Sequence, residues 1–164
     1  MTFIIRSDDA EFLGADGYPT AVRLLADASD TGDALSTQRV TLGPGADGAS
    51  PHLHKGSSEL FFVVDGAAQI LAGSDVTTLR SGDLAVVPPG VPHAFGAPAG
   101  SSADLLIVIT PGVERFEYFR LLAALQRGES DLEDLLAAQD RFDNHFLDSP
   151  EWRAVRATGP GAGQ

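Results

Sequence analysis

The chain has 164 residues, the size of a single domain that can bury a proper core without staples. Its net charge of −12 opposes phosphate backbones and anionic lipid, which argues against nucleic-acid and membrane-surface roles. With no cysteine, disulfides, thiolate metal sites and a cysteine nucleophile are excluded. Residues 1–9 carry no cationic flank and no long apolar run. No later stretch is long enough to span a bilayer, so a cytoplasmic protein is expected. The charge also disfavours a strongly anionic substrate, unless a local pocket overrides it.

In chain order, Phe3-Ile4-Ile5 is a candidate short strand, and Ala10 to Thr20, with Gly14, Gly17 and Pro19, reads as loop. Strands are expected over Ala21–Ala26 and Leu35–Leu42, with polar turn material from Asp27 to Asp33 between them. A turn cluster, Gly43 to Gly48, leads into Pro51-His52-Leu53-His54. From there the rhythm is regular. Strands are expected over Leu60–Val64, Ala67–Ala72, Val76–Leu79, Leu84–Val87, from His93, and over Ala103–Thr110. The turns between them include Asp65-Gly66, Gly73-Ser74-Asp75, Ser81-Gly82-Asp83 and Pro88-Pro89-Gly90. Short strands at this spacing indicate an all-β sandwich or barrel.

The pattern changes after Pro111-Gly112. Phe116, Phe119, Leu122 and Leu125 recur at helical spacing, and Gly128 stops that helix. Ser130 and Glu133 suggest a capping box for a second helix from Asp131 to about His145, with Pro150 beyond its end. The expected organisation is a β domain over 1–112, helices over 113–156 packed on it, and a flexible tail over 157–164.

The chemistry is concentrated in His52, His54 and Glu59. Residues i and i+2 of a strand share a face, so His52 and His54 aim two imidazoles at one point. A hairpin across Lys55-Gly56-Ser57-Ser58 would return Glu59 beside them. Imidazole plus carboxylate suits a divalent first-row metal. His93, behind Pro88-Pro89-Gly90-Val91-Pro92, is a further candidate, and the prolines stiffen its approach. His145, near the expected helix end, reads as a helix-dipole or surface residue. Alternation from Glu59 places Phe61 and Val63 inward, and Phe95 shares the face of His93. Gln69 or a neighbour is a further pocket candidate. Plain core packing is the competing reading for the phenylalanines. In the strand before this stretch, Gln38 and Val40 share one face and Thr37, Arg39 and Thr41 the other, with the inner face open. An apolar cavity with a metal and few charges suits a hydrophobic chelating substrate.

These residues resemble the two motifs of the cupin superfamily. The first is written G-x5-H-x-H-x3,4-E-x6-G. His52-x-His54-x4-Glu59-x6-Gly66 is similar to it, with Ala46 at the leading glycine position and Gly45 and Gly48 nearby. The second is G-x5-P-x-G-x2-H-x3-N. Gly82-x5-Pro88-x-Gly90-x2-His93 is similar to it, with Ala97 at the final position. The resemblance covers about residues 20–112. It implies an all-β cupin jelly-roll barrel (a double-stranded β-helix) with a helical C-terminal extension. It also implies one divalent ion held by His52, His54, Glu59 and His93.

The segment from Leu105 to Gly112, with the aromatic tail Glu114 to Phe119, is similar to single-domain cupins of the quercetin 2,3-dioxygenase-like kind. That resemblance implies an oxidoreductase, a dioxygenase acting on an enolic or phenolic chelating molecule with dioxygen as co-substrate. The metal would be Fe(II) foremost, with Mn, Ni or Zn as alternatives, and Glu59 would act as a base. Phe61, Val63, Gln69 and Phe95 would wall the substrate pocket. The alternatives are a non-oxidative cyclase or isomerase of the polyketide-cyclase type and a non-enzymatic small-molecule binder. Cupins of this size are commonly dimers, and a barrel edge needs covering, so a homodimer is expected.

Overall fold

The computed structural model describes residues 2–158. Its core strands are β1 (Phe12–Leu13), β2 (Thr20–Ala26), β3 (Ser36–Leu42), β4 (Asp47–Leu53), β5 (Ser58–Ala72), β6 (Asp75–Arg80), β7 (Leu84–Val87), β8 (His93–Gly96) and β9 (Ala103–Thr110). The pairings are antiparallel. One sheet runs β1-β2-β3-β9-β5-β7. The other runs β6-β5-β8-β4 and ends on a short C-terminal strand, β10 (His145–Phe146). The two sheets curl face to face into a jelly-roll barrel with its apolar core inside.

Strand alternation decides what faces that core. Gln38, Val40 and Leu42 of β3 are buried, as are Leu105, Ile107 and Ile109 of β9, whereas Arg39 and Thr41 are exposed. Gln38 and Val40 therefore hold the inner face that the sequence left open.

β5 belongs to both sheets. Its first half pairs with β9 and β7, and its second half pairs with β6 and β8. The Asp65-Gly66 hairpin turn expected between two strands does not form. The register instead shifts between Val63 and Asp65, and the strand runs on as one bent element. This is a bulge, which inserts a residue and bends the strand. It also reverses the parity of inward residues. Glu59, Phe61 and Val63 face the core before it, and Ala68 and Ile70 after it. Gly66 has φ +75°, and a Cβ there would lie 2.0 Å from the Ser102 carbonyl oxygen, so only glycine fits the bend.

At the N-terminus, Phe3-Ile4-Ile5 is not a strand. The pairing falls to Phe12–Leu13, inside the expected loop, because it lies beside Val22 and Arg23 of β2. A single turn, α1 (Ala28–Thr31), occupies the expected polar turn.

The extension contains α2 (Phe116–Gln126), α3 (Leu132–Ala137), α4 (Gln139–Phe142) and α5 (Pro150–Ala157). The single helix expected from Asp131 to His145 is broken. Asp143 adopts a left-handed conformation (φ 47°) that ends α4, and β10 follows directly. The cap is one residue later than expected. Asp131 accepts from Asp134 N at 3.1 Å, and Ser130 Oγ donates to Asp134 instead. Serine and aspartate both make good N-caps, so the pattern alone does not separate them. Pro150 opens a helix rather than following one. It is the first residue of α5, and Ser149 Oγ accepts from Trp152 N at 3.2 Å. Ala157 ends α5, and residues 159–164 of the expected tail lie outside the described residues.

Two small cores order the extension, and one of them fastens it to the barrel. Trp152 packs on Leu71 and Ala94, on the outer side of the second sheet. Tyr118, Leu135 and Phe142 hold α2, α3 and α4 together. Among the described residues, no helix is long and apolar enough to cross a membrane.

Candidate metal centre

His52 lies in β4, in register with His93 at the start of β8. His54 follows the end of β4, and Glu59 sits near the start of β5. All four are buried, and one donor atom from each lies within 4.8 Å of the others. The expected hairpin between the histidines and Glu59 is absent. β4 pairs with β8 and β10, whereas Glu59 pairs with Val87 and Ile109 in the opposite sheet. The 55–58 turn crosses from one sheet to the other, so Glu59 meets the imidazoles across the barrel interior.

Each ring is oriented by a backbone carbonyl. His52 Nδ1 donates to Ser50 O at 2.7 Å, His54 Nδ1 to Asp143 O at 2.5 Å, and His93 Nδ1 to Val91 O at 2.9 Å. A carbonyl oxygen only accepts, so each Nδ1 carries a proton, and each ring turns its Nε2 inward toward Glu59. Glu59 Oε2 lies 2.6 Å from His93 Nε2, 3.1 Å from His54 Nε2 and 3.8 Å from His52 Nε2. Nε2 atoms this close to a carboxylate need a proton or another cation between them. Protons on the rings would serve, but burial opposes charging His52. That burial, with His93 nearby, pushes its pKa down to about 3. Burial alone would raise Glu59, but hydrogen bonding and charge from His54 and His93 hold its carboxyl well below the usual range. Three inward imidazole Nε2 atoms with one ionised carboxylate fit a divalent metal ion. Carbonyl-oriented Nδ1 atoms are the outer hydrogen bonds that ligating histidines commonly need.

Asp143 ties the extension to this loop. Its carbonyl orients His54, and its carboxylate accepts from Lys55 N at 2.8 Å and Gly56 N at 2.9 Å. Burial works against its charge, but those two N–H groups win and hold its pKa low. His145, expected at a helix end, lies in β10 in register with Leu53, and its Nε2 is 3.2 Å from Asp143 Oδ1.

The centre opens on a cavity of about 510 Å³ between the barrel and the helices. Its barrel wall includes Gln38, Val40, His52, Glu59 and Phe95, and its helical wall includes Tyr118, Leu122 and Leu135. Of the expected pocket residues, Phe95 lines this space. Phe61 and Val63 point inward but are fully buried in the core, outside the cavity lining. Gln69 faces the other way, because the bulge at Asp65 reverses its parity, and its Oε1 accepts from Arg156 at 2.9 Å. Gly48 makes room for Phe95, since a Cβ there would lie 2.2 Å from its ring. The close approach that demands glycine thus falls at Gly48, two residues after Ala46.

The sequence reading missed Arg115, Tyr118, Asp143 and Asn144. The helical spacing from Phe116 was legible, but which face would roof the barrel was not. An Asp-Asn pair at a helix end is a left-handed stop signal, and it was available to be read.

Comparisons with known proteins agree with this geometry. Residues 38–109 match the family model described as Cupin domain. The chain is 30% identical over 96 residues to a quercetin 2,3-dioxygenase of Bacillus subtilis (strain 168), a match over 58% of this chain and 27% of that protein. It therefore spans about a quarter of that relative's length. An RmlC-like cupin from Shewanella frigidimarina superposes with a TM-score of 0.58 at 21% identity, covering 72% of this chain and 96% of that one. The polyketide cyclase RemF from Streptomyces resistomycificus gives 0.56 at 19% identity, covering 75% and 96%. Identities this low show a shared fold.

Proposed function

From the premise that residues 38–109 form a cupin domain, we propose that the chain is a metal-dependent oxidoreductase acting on a hydrophobic, metal-chelating enol or phenol. The observation that carries this reading is the inward-facing set of His52, His54, His93 and Glu59, opening on an apolar cavity wide enough for an aromatic molecule. The match to a quercetin 2,3-dioxygenase supports the oxidative form.

In this reading His52, His54, His93 and Glu59 hold one divalent ion, Fe(II) foremost, with Mn(II) and Ni(II) as alternatives. When bound, the ion supplies Lewis acidity and a template for substrate and dioxygen. The chain does the rest. Carbonyls of Ser50, Val91 and Asp143 hold the rings in one tautomer. Glu59 rests ionised, and it would accept the proton of a chelating hydroxyl when its metal bond loosens. Phe95 and the helical wall exclude water and hold the ring of the substrate.

A non-oxidative cyclase or isomerase would use the same residues with a redox-inert ion, because the donor set alone does not select the metal. Oxygen uptake separates the two. Protein purified anaerobically and loaded with Fe(II) is expected to consume dioxygen with a flavonol substrate. A turned-over substrate that gains no oxygen atom would overturn the dioxygenase reading in favour of the cyclase.

A further inference from the structure

The cavity wall contains a buried cation that no side-chain carboxylate among the described residues pairs with. Arg115, just before α2, is 3% exposed and lines the cavity that His52 and Glu59 also line. Its guanidinium stacks over Tyr118, 4.2 Å from the ring centroid, and lies 5.5 Å from that of Phe119. Nη1 donates to Phe142 O at 3.1 Å. The contacts to Asn144 Oδ1, 3.5 Å from Nη1 and 3.4 Å from Nη2, are at the outer limit of a hydrogen bond. Nε is buried with no partner. The acid nearest in the bonding pattern, Asp27, is taken by backbone, since its carboxylate accepts from Arg115 N and Phe116 N.

Asn144 repeats the pattern. It is 1% exposed, lines the same cavity, and its Nδ2 is buried and unpartnered. Unanswered donors of this kind are costly to bury, so two on neighbouring residues mark a place built for an acceptor. Charge would point the same way with an ion bound: the ion and Arg115 would together outweigh Glu59 at this wall, although the chain as a whole carries −12.

We propose that Arg115 and Asn144 form an anion-binding subsite, and that the substrate is a chelating enol or phenol that also bears a carboxylate. The guanidinium fork matches a carboxylate in two parallel hydrogen bonds, and Asn144 Nδ2 adds a third donor. The phenolic or enolic oxygen then reaches the metal centre, and the ring lies against Phe95 and Leu122. This inference rests on the metal-dependent reading for the substrate's chelating end only. The competing account makes Arg115 a tie between α2 and α4, with no ligand preference.

The test is calorimetric titration of the full chain loaded with Zn(II), using 2-hydroxybenzoate and phenol, and of the chelator-treated chain using benzoate. The Zn(II)-loaded wild type is expected to bind 2-hydroxybenzoate about tenfold or more tightly than phenol, as one charge-assisted pair implies. Arg115→Met is expected to erase most of that difference with metal content unchanged. Arg115→Lys and Asn144→Leu carry the same comparison if the methionine variant fails to fold, and each is expected to reduce the preference. Benzoate binding by chelator-treated wild type, lost in the same variants, assigns the carboxylate to Arg115 rather than to the metal. Equal binding of the two probes by wild type overturns the subsite, as does a preference that survives every folded variant. A wild type that takes up no metal but still binds benzoate through Arg115 overturns the metal reading and leaves the subsite standing.

Discussion

A single carboxylate oxygen organises the centre, and its neighbours set how the site responds to change. Glu59 Oε2 sits among the three imidazoles, so Glu59→Gln removes the anionic donor of this four-residue set. Bound metal in that variant is expected to fall at least about tenfold in affinity, measured by competition with a chromophoric chelator. Asp143 acts one step further out. Asp143→Ala removes the acceptor for Lys55 N and Gly56 N and disturbs a left-handed residue whose carbonyl orients His54. Metal affinity is expected to drop about 10–100-fold, with a loss of about 1–3 kcal/mol in stability by urea denaturation. Acid exposes the same residues. The folded pKa of His52, about 3, lies below its ordinary 6.5, so the unfolded chain takes up that proton first. The stability tied to neutral His52 is complete above pH 6.5 and is lost as pH falls from 6.5 toward 3. Glu59 is also depressed, and its share is lost below its ordinary 4.5, in the same direction. The urea midpoint of chelator-treated protein should therefore fall between pH 7 and 4, and His52→Asn should flatten the upper part of that fall.

β5 links the site to its frame. Before the bulge it aims Glu59 at the imidazoles, and after it Ala68 and Ile70 fill the core while Leu71 meets Trp152 of α5. One inserted residue thus lets the same strand serve two sheets. Gly66→Ala would place a methyl group 2.0 Å from Ser102 O at a positive φ. A loss of at least about 2 kcal/mol is expected in chemical denaturation. The helical elements carry weight of a different kind. Trp152→Ala empties the contact with Leu71 and Ala94, at an expected cost of about 3–5 kcal/mol.

Across the whole molecule, the extension supplies part of the cavity wall rather than an accessory. β10 adds a strand beside β4, Asp143 fastens the ligand loop, and α2 and α3 roof the barrel mouth. Metal binding at this centre is therefore expected to be coupled to the order of both the barrel and the extension. Saturating Zn(II) is expected to stabilise the fold by about 2.7 kcal/mol at a hundred times the dissociation constant, read as a rise in melting temperature that a chelator reverses. Because His54 is held by Asp143, helix α4 is expected to gain hydrogen-exchange protection along with the barrel when the ion binds.

The ligand set and most strands were legible because they rest on local rules. Period-two alternation and turn residues marked β6, β7 and β9 within a residue or two, and two spaced motifs named His52, His54, Glu59 and His93. The remainder depended on contacts distant in sequence. Asp65-Gly66 reads as a turn by composition, and only the packing of Ser102 against Gly66 makes it a bulge, which in turn sends Gln69 to Arg156 instead of the cavity. Arg115 and Asn144 stand 29 residues apart, and no periodic signal joins them. By itself the sequence determined the barrel class and four candidate donors, because strand alternation and motif spacing are local properties. Tertiary structure alone decided that Glu59 approaches from the opposite sheet, that helices roof the cavity, and that a buried guanidinium lies there without a counter-ion among the described residues. Those facts follow from which surfaces bury each other, and that is settled only when the whole chain packs.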